Sequence, residues 1–403
     1  MERAVIYVAP ALRENTLRYV RAVAGLPGVR AAVISGDDGW AAHGIRAARV
    51  RDPSDPEQIA SAAASLAREL GGLDRLIGAL EQLQIPLGIA RDRLRAAGFP
   101  GLAGMGEGVA RNFREKDRMK EVLRAAGVPV ARHRLARSGA ELRAFADEVG
   151  LPIIVKPPDG LGSKSTFRVR TADDLRAACA WPAPDRPVQA EEFVTGTEHT
   201  CETVSVHGRG VWRSGTHYLP GPLEVLENPW MQYCVLLPRE EADHAPFAPT
   251  NESALRALGM ETGLSHMEWF RAGDGRMVVS EVGARPPGVQ IMPLMSHAHG
   301  TDMVAKWAEL VVFDRFTPPV RRQAAGVAFF RGQGRGRVVA IHGLAEAQAE
   351  VGALVVDRHL PAPGDPKGEG YEGEGWAIVA HPETAAVRHA LRRLVELVRV
   401  ELG

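Results

Sequence analysis

Short apolar runs alternate with helical spacings through the first hundred residues. Residues 4–9 (AVIYVA), 29–35 (VRAAVIS) and 73–80 read as strands. Between them Leu17, Val20, Val23 and Ala24 recur at helical spacing, then Ile59, Ala62, Ala63, Leu66 and Leu70; residues 85–97 form a further helix. Alternating strands and helices predict an open parallel α/β unit. Residues 116–126 predict a helix with Met119, Val122, Leu123 and Ala126 inward, stopped by Gly127 with Pro129 just beyond. Short strands and helices mix over 130–210, and 211–250 show no clear period. Residues 264–282 read as a hairpin, and 301–313 as a helix capped by Thr301 or Asp302. Short strands separated by Gly and Pro fill 326–381, and 384–402 read as a closing amphipathic helix.

Composition narrows the class. The chain has 403 residues, 45% of them apolar and 24% charged, enough for several buried cores. Lys plus Arg equals Asp plus Glu at 49 each, so the basic excess expected of a nucleic-acid binder is absent. Only six cations are lysines, and Lys116, Lys120, Lys156 and Lys164 fall in one stretch. Cys179, Cys201 and Cys234 make neither a disulfide framework nor a zinc knuckle, which implies a reducing, cytoplasmic setting. The first residues lack signal-peptide character, and no apolar run approaches the 18 residues of a membrane span.

Several patterns carry little. Gly368, Gly370 and Gly373 match G-x-G-x-x-G, but a strand follows instead of a helix, so a loop is expected. Asn251-Glu-Ser253 is a glycosylation pattern without a secretory route. His297 and His299 lack a third ligand type and read as a polar loop approaching a helix. No P-loop motif occurs.

Four segments carry chemistry. The apolar strand 151–156 ends in Lys156, which is costly to bury unless an anion meets it. The loop after it holds Gly160, Gly162, Ser163, Lys164 and Ser165, whose N–H groups could cover phosphates. In the hairpin, pairing Ala272 with Met277 sets Glu268 directly opposite Glu281, with Cβ atoms roughly 5 Å apart on one face. Such opposed like charges destabilise a hairpin unless a divalent cation sits between them. Arg285 follows in a Pro-stiffened turn, a guanidinium suited to developing phosphoryl charge. Finally, residues 188–191 form a strand edge that could read a purine, with a following carboxylate for ribose hydroxyls.

In this order, Lys116 before AAGVP, IIVKPPDGLGS at 153–163, EEFVTGTE at 191–198, Glu268 in SHMEWF and SEVGARPPG at 280–288 resemble the ATP-grasp superfamily, across residues 112–312. The resemblance points to its carboxylate–amine (L-amino-acid) ligase and biotin-carboxylase-like branches. It implies an α/β protein with an α+β grasp core: a Rossmann-like domain over 1–111, a two-lobed ATP-grasp domain over 112–318, and a small C-terminal β-rich domain over 319–403. It implies that Lys116 and Lys156 contact nucleotide phosphates, and that the loop with Gly160, Gly162 and Ser163 folds over them. Glu191 would meet the adenine amino group, Glu192 and Val194 would contact adenine through their backbones, and Glu198 would bind ribose. Glu268 and Glu281 would hold Mg²⁺, with Mn²⁺ as an alternative, and Arg285 would steady the transferred phosphoryl group. Two departures stand out. Gly283 replaces an Asn common in relatives, which thins the metal site, and Lys164-Ser165 replaces a small, Gly-containing loop tail.

The expected activity is ATP-dependent joining of a small carboxylate to an amine through an acyl phosphate, releasing ADP and phosphate. Partners are small molecules, without nucleic acid or membrane; a homodimer is compatible. A biotin-carboxylase-like activity is the first alternative, although residues 199–245 lack the Arg-Asp-Cys-Ser string of those enzymes. A non-catalytic ATP-binding protein is the second, and the intact set Lys156, Glu268, Glu281 and Arg285 argues against it. Residues 215–240 and His266 are left, by elimination, to line the acceptor pocket.

Overall fold

The computed structural model describes residues 2–158, 166–228, 230–240, 242, 244–368, 370 and 372–403. The predicted phosphate loop, with Gly160, Gly162 and Ser163, therefore lies outside the described residues. Strands β1 (Arg3–Ala9), β2 (Val29–Ser35), β3 (Arg46–Arg49) and β4 (Arg75–Ile77) form a parallel sheet in the order β3-β2-β1-β4. The strand expected over 73–80 is only three residues long. Side-chain alternation gives this sheet two buried faces. Ala4, Ile6 and Val8 pack on one side with helices α2 (Pro56–Leu70) and α3 (Gln84–Ala96). Val5, Tyr7 and Ala9 join α1 (Glu14–Ala24) on the other, in a core that also holds Trp307 from a much later helix. Helix α2 starts where Asp55 accepts the Glu57 N–H and stops at Gly71, whose φ of 69° a side chain would resist.

Helices α4 (Glu107–Arg114) and α5 (Lys116–Ala125) lead into the second region. Met119 and Leu123 of α5 are buried as expected, but Ala126 is exposed, and Lys116 and Lys120 are buried instead. Strands β5 (His133–Ala136), β6 (Ile153–Lys156), β7 (Phe167–Val169) and β8 (Val188–Glu192) form an antiparallel sheet ordered β5-β8-β6-β7, backed by α6 (Gly139–Val149) and α7 (Ala172–Ala178).

The largest sheet is antiparallel and eight-stranded. It contains β9 (Gly196–Val206), β10 (Arg209–Leu219), β11 (Tyr233–Leu237), β12 (Gly263–Ala272), β13 (Met277–Gly283), β14 (Ala324–Phe330), β16 (Val355–His359) and β17 (Gly375–His381), in the order β13-β12-β9-β10-β11-β14-β17-β16. It runs across residue 319 without a break. Strand β15 (Val338–His342) pairs instead with β18 (Arg399–Leu402). Residues 211–250 are thus not irregular: they contain most of β10, then α8 (Pro222–Glu227) and β11, and lead into α9 (Ala248–Leu258). Two of the buried residues of β10, Ser214 and Thr216, are polar and interrupt its apolar period. His297 and His299 lie within α10 (Ile291–His299), not in a loop. Helix α11 (Met303–Phe313) is capped by Asp302, which accepts the Val304 and Ala305 N–H groups. Helix α12 (Leu344–Val351) was not foreseen. The closing helix α13 (Thr384–Leu397) ends five residues earlier than its pattern suggests, because Val400 and Leu402 leave it for β18 and its core. No described helix is long and apolar enough to cross a membrane.

Candidate active site

The hairpin β12–β13 brings Glu268 opposite Glu281, as expected, but by a different route. Next to the turn the ladder pairs Arg271 with Met277 and Trp269 with Val279, one residue out of the expected register. A bulge at Ser280 then restores it, so that Glu268 pairs with Glu281 and Met267 with Val282. Without that extra residue the two carboxylates would lie on opposite faces of the sheet.

The penalty expected of this like-charge pair is largely removed by the protein itself. Lys116 Nζ donates to Glu281 Oε1 at 2.5 Å. Burial pushes Glu281 upward, yet Lys116 and Lys156 hold it down at about 2. Glu268 accepts from the Tyr218 hydroxyl at 3.4 Å, and His266 Nε2 lies 3.6 Å away. The other imidazole nitrogen of His266 donates to Glu202 Oε1 at 2.8 Å. Glu202 is fully buried and also accepts from Thr200 Oγ1 at 3.0 Å. Burial opposes the charged imidazole, but these two carboxylates raise His266 to about 9.

The strand-end lysine meets its anion. Glu191 Oε1 lies 3.0 Å from Lys156 Nζ and 3.2 Å from Lys120 Nζ. Burial opposes its ionisation, but the two ammonium groups hold Glu191 at about 2. The lysines respond oppositely. Burial outweighs Glu191 at Lys120 and lowers it, whereas Glu191 and Glu281 together raise Lys156 against burial. Glu198 is pushed well above the carboxylate range by burial and by Glu268.

Two clefts meet at the glutamates. One, of about 810 Å³, is lined by Lys116, Lys156, Glu191, Glu192, Val194 and Glu198 among others, with Pro157 and Thr166 flanking the undescribed loop. The second, of about 840 Å³, is lined by Glu81, Tyr218, Tyr233, His266 and Arg285. Glu268 and Glu281 line both. The structure therefore gathers every described site residue singled out in the sequence: Arg285 and His266 line the second cleft, and the nucleotide and metal residues the first. The Glu192 N–H is donated to the Arg132 carbonyl at 2.9 Å.

Lys120 was missed, although it stands one helical turn after Lys116 in a chain with six lysines. Glu81 gave no signal. It comes from the N-terminal α/β region, accepts from Arg285 Nε and lies 3.9 Å from Arg114. It also explains Gly283: a Cβ there would lie 3.2 Å from Glu81 Oε2. The space an Asn would use is taken by a carboxylate from another part of the chain.

Two facing antiparallel lobes, a strand-end lysine with a buried counter-ion, and an opposed glutamate pair on a hairpin define an ATP-grasp site. The ATP-grasp domain model matches residues 121–289, and the chain belongs to the ATP-grasp family. It is an ATP-dependent ligase of the kind that forms carbon–nitrogen bonds. A D-alanine–D-alanine ligase of Aromatoleum aromaticum is 30% identical over 248 residues, covering 58% of this chain and 72% of that one. An L-arginine-specific L-amino acid ligase of Bacillus subtilis is 25% identical over 227 residues, 55% of this chain and 53% of that one. The crystal structure of an L-amino acid ligase from Bacillus licheniformis superposes with a TM-score of 0.76 at 17% identity, covering 100% of this chain and 99% of that one.

Proposed function

We propose that the protein phosphorylates the carboxylate of an amino-acid-like substrate with ATP and transfers the acyl group to a small amine. The observation that carries this reading is that the two clefts share Glu268 and Glu281. One cleft is lined by the lysines and purine-edge residues. The other presents Arg285, suited to a carboxylate and oriented by its pairing with Glu81. Names of relatives that join amino acids support the same substrate class.

In this reading Lys116 and Lys156 bind the nucleotide phosphates. Glu191 orients Lys120 and Lys156 through one oxygen and accepts the purine amino group through the other. The Glu192 carbonyl and the Val194 backbone face adenine, and Glu198 binds ribose. Glu268 and Glu281 supply the hard oxygen donors that suit Mg²⁺ or Mn²⁺, with water in place of a side chain at Gly283. When bound, such an ion would neutralise charge on the terminal phosphates. Arg285 and Lys156 flank the transferring phosphoryl group, which is a positioning and electrostatic task that needs no covalent nucleophile. Residues 1–111 act as a lobe that supplies Glu81, 112–318 carry the nucleotide and metal residues, and 319–403 extend the large sheet. The setting is the cytoplasm.

Lys116, Lys156, Glu268, Glu281 and Arg285 converge on the β and γ phosphates in this reading, so the products are ADP, phosphate and an acyl phosphate awaiting an amine. Amino-acid pairs screened with mass detection should yield a dipeptide or amide together with ADP. Hydroxylamine should intercept the activated carboxylate as a hydroxamate. AMP and pyrophosphate as nucleotide products would overturn the mechanism.

A further inference from the structure

We infer that His199, His217 and His244 form a binding site for a zinc-type transition-metal ion, on the face of the large sheet opposite the nucleotide cleft. Side chains alternate across β9, β10 and β12. Glu198, Thr200 and Glu268 point to the cleft side, and His199 and Trp269 to the other. His199 and His217 are directly opposed in the β9–β10 ladder, so they share that reverse face. His244 arrives from the segment between β11 and α9. One potential ligand atom from each of the three residues lies within 4.8 Å of the others.

The ring geometry fits an ion more closely than this outer limit conveys. Imidazole centroids are separated by 4.4 Å (His199–His217), 4.8 Å (His217–His244) and 5.5 Å (His199–His244). Around a tetrahedral ion with metal–nitrogen distances of about 2.0–2.1 Å, imidazole centroids stand about 5 Å apart. Small side-chain movements would bring the three nitrogens into ligating range.

A second, independent observation comes from His199. It is 3% exposed, and its Nε2 lies 2.8 Å from Thr197 Oγ1. Among the described residues its Nδ1 is buried without a hydrogen-bond partner. Leaving a buried polar nitrogen unmet is unfavourable, and a metal ion would meet it. Thr197 is placed to accept the Nε2 proton, which leaves the lone pair on Nδ1, the arrangement of a metal-ligating histidine.

The surroundings hold these rings in place. His199 stacks on Trp269 at 4.5 Å, and Trp269 stacks on Phe247 at 4.1 Å. Gly215 leaves the room that His244 occupies, since a Cβ there would come within 2.3 Å of its ring. Imidazole nitrogen selects zinc, cobalt, nickel or copper over Mg²⁺, which prefers oxygen. Arg271 sits 5.9 Å over the Trp269 ring, so the neighbourhood is already cationic. A bound dication would therefore take hydroxide or another small anion as its fourth ligand. The ion would tie β9 and β10, the strands that carry Glu198 and Tyr218, to the segment before α9.

The test is a Co²⁺ and Zn²⁺ titration of chelator-stripped, tag-free, full-length protein. Excess Mg²⁺ is included to cover Glu268 and Glu281. One equivalent of Co²⁺ should give the intense visible bands of a four-coordinate ion, Zn²⁺ should displace it, and Zn²⁺ should raise Tm. His244→Ala and His217→Asn should each weaken binding by about 100-fold or more, beyond the usual loss of an outer-sphere partner. A Glu268→Gln, Glu281→Gln double variant should bind as the unaltered protein does. Absence of a four-coordinate Co²⁺ spectrum in the unaltered protein overturns the proposal, whether or not the histidine variants fold. Binding that survives in folded His244→Ala and His217→Asn proteins also overturns it.

Discussion

The two faces of the β9–β12 ladder differ in how they meet the cost of burying polar groups. On the cleft side charge is met by charge: Lys116 by Glu281, Lys120 and Lys156 by Glu191, His266 by Glu202. On the reverse side His199 stacks on Trp269 and is held uncharged by burial, with His217 and His244 beside it. The first arrangement leaves strong fields at the mouth of two clefts, ready for phosphates and a carboxylate. The second gives nitrogen lone pairs in an apolar wall. One sheet, with a period of two, separates the two kinds of chemistry by the thickness of a strand.

The sharpest way to break this contrast is to remove a charge from the cleft side. Glu281→Gln and Arg285→Ala should each lower kcat by about 10³-fold or more, as expected for groups that stabilise a transferring phosphoryl charge. Steady-state ADP release checks this, and a wild-type rate for either variant would remove that residue from the mechanism. Glu281→Gln should also lose stability without nucleotide, because it leaves the buried Lys116 ammonium unpaired. This reverses what the glutamate pair viewed alone implies.

Glu191→Gln comes next. It strands Lys120 and Lys156 together, and should cost about 3 kcal/mol or more in urea unfolding. Adding Lys120→Met should recover part of the loss. If the single variant is as stable as the parent, the triad contributes nothing to the fold.

Acid should act through the uncharged histidines. His199 and His299 are held down at about 3 and about 4, chiefly by burial, which at His299 outweighs the opposing hydrogen bond to the Met295 carbonyl. The unfolded chain takes up these protons near pH 6.5, the folded chain only well below it. Their contribution is therefore fully present above about pH 6.5 and is lost as pH falls toward 4 and 3. At pH 5 each site should have cost the metal-free protein about 2 kcal/mol relative to neutral pH. His299→Gln should flatten the stability profile by that amount between pH 6.5 and 5. An unchanged slope would show that His299 is protonated in the folded protein.

The smallest effect belongs to the rim. Arg132 is half exposed and pairs with Glu192 at 2.5 Å. Arg132→Ala should change unfolding stability by less than about 1 kcal/mol. Any effect on KM for ATP should exceed that on kcat, since Glu192 lines the nucleotide cleft. A larger loss in kcat would move this pair from the rim into the reacting centre.

What could be read along the chain was whatever short-range geometry controls. Strand and helix periods give the strands at 4–9 and 29–35 and helix α2. A turn and a two-residue alternation put Glu268 and Glu281 on one face. The phosphate-side lysine is visible because an apolar strand rarely ends in an unmet cation. Even here tertiary structure intervened, since the Ser280 bulge corrects a turn that closes one residue out of the expected register. Strand β10 and helix α10 were obscured because buried Ser214, Thr216 and His299 interrupt the apolar period, and helix α12 because it buries only Ala347 and Val351.

Local order and motif spacing in the sequence determined the ATP-grasp class, the lysine of β6 and the opposed glutamates. Only the tertiary structure decided which charges meet. Glu81 reaches Arg285 across 204 residues, Lys120 shares Glu191 with Lys156, and three histidines from separate segments converge behind the cleft. Backbone periodicity is set by neighbours a few residues apart. Charge pairing and ligand geometry are set by which surfaces pack together once the chain has closed its long loops, and that information is not local to any stretch of it.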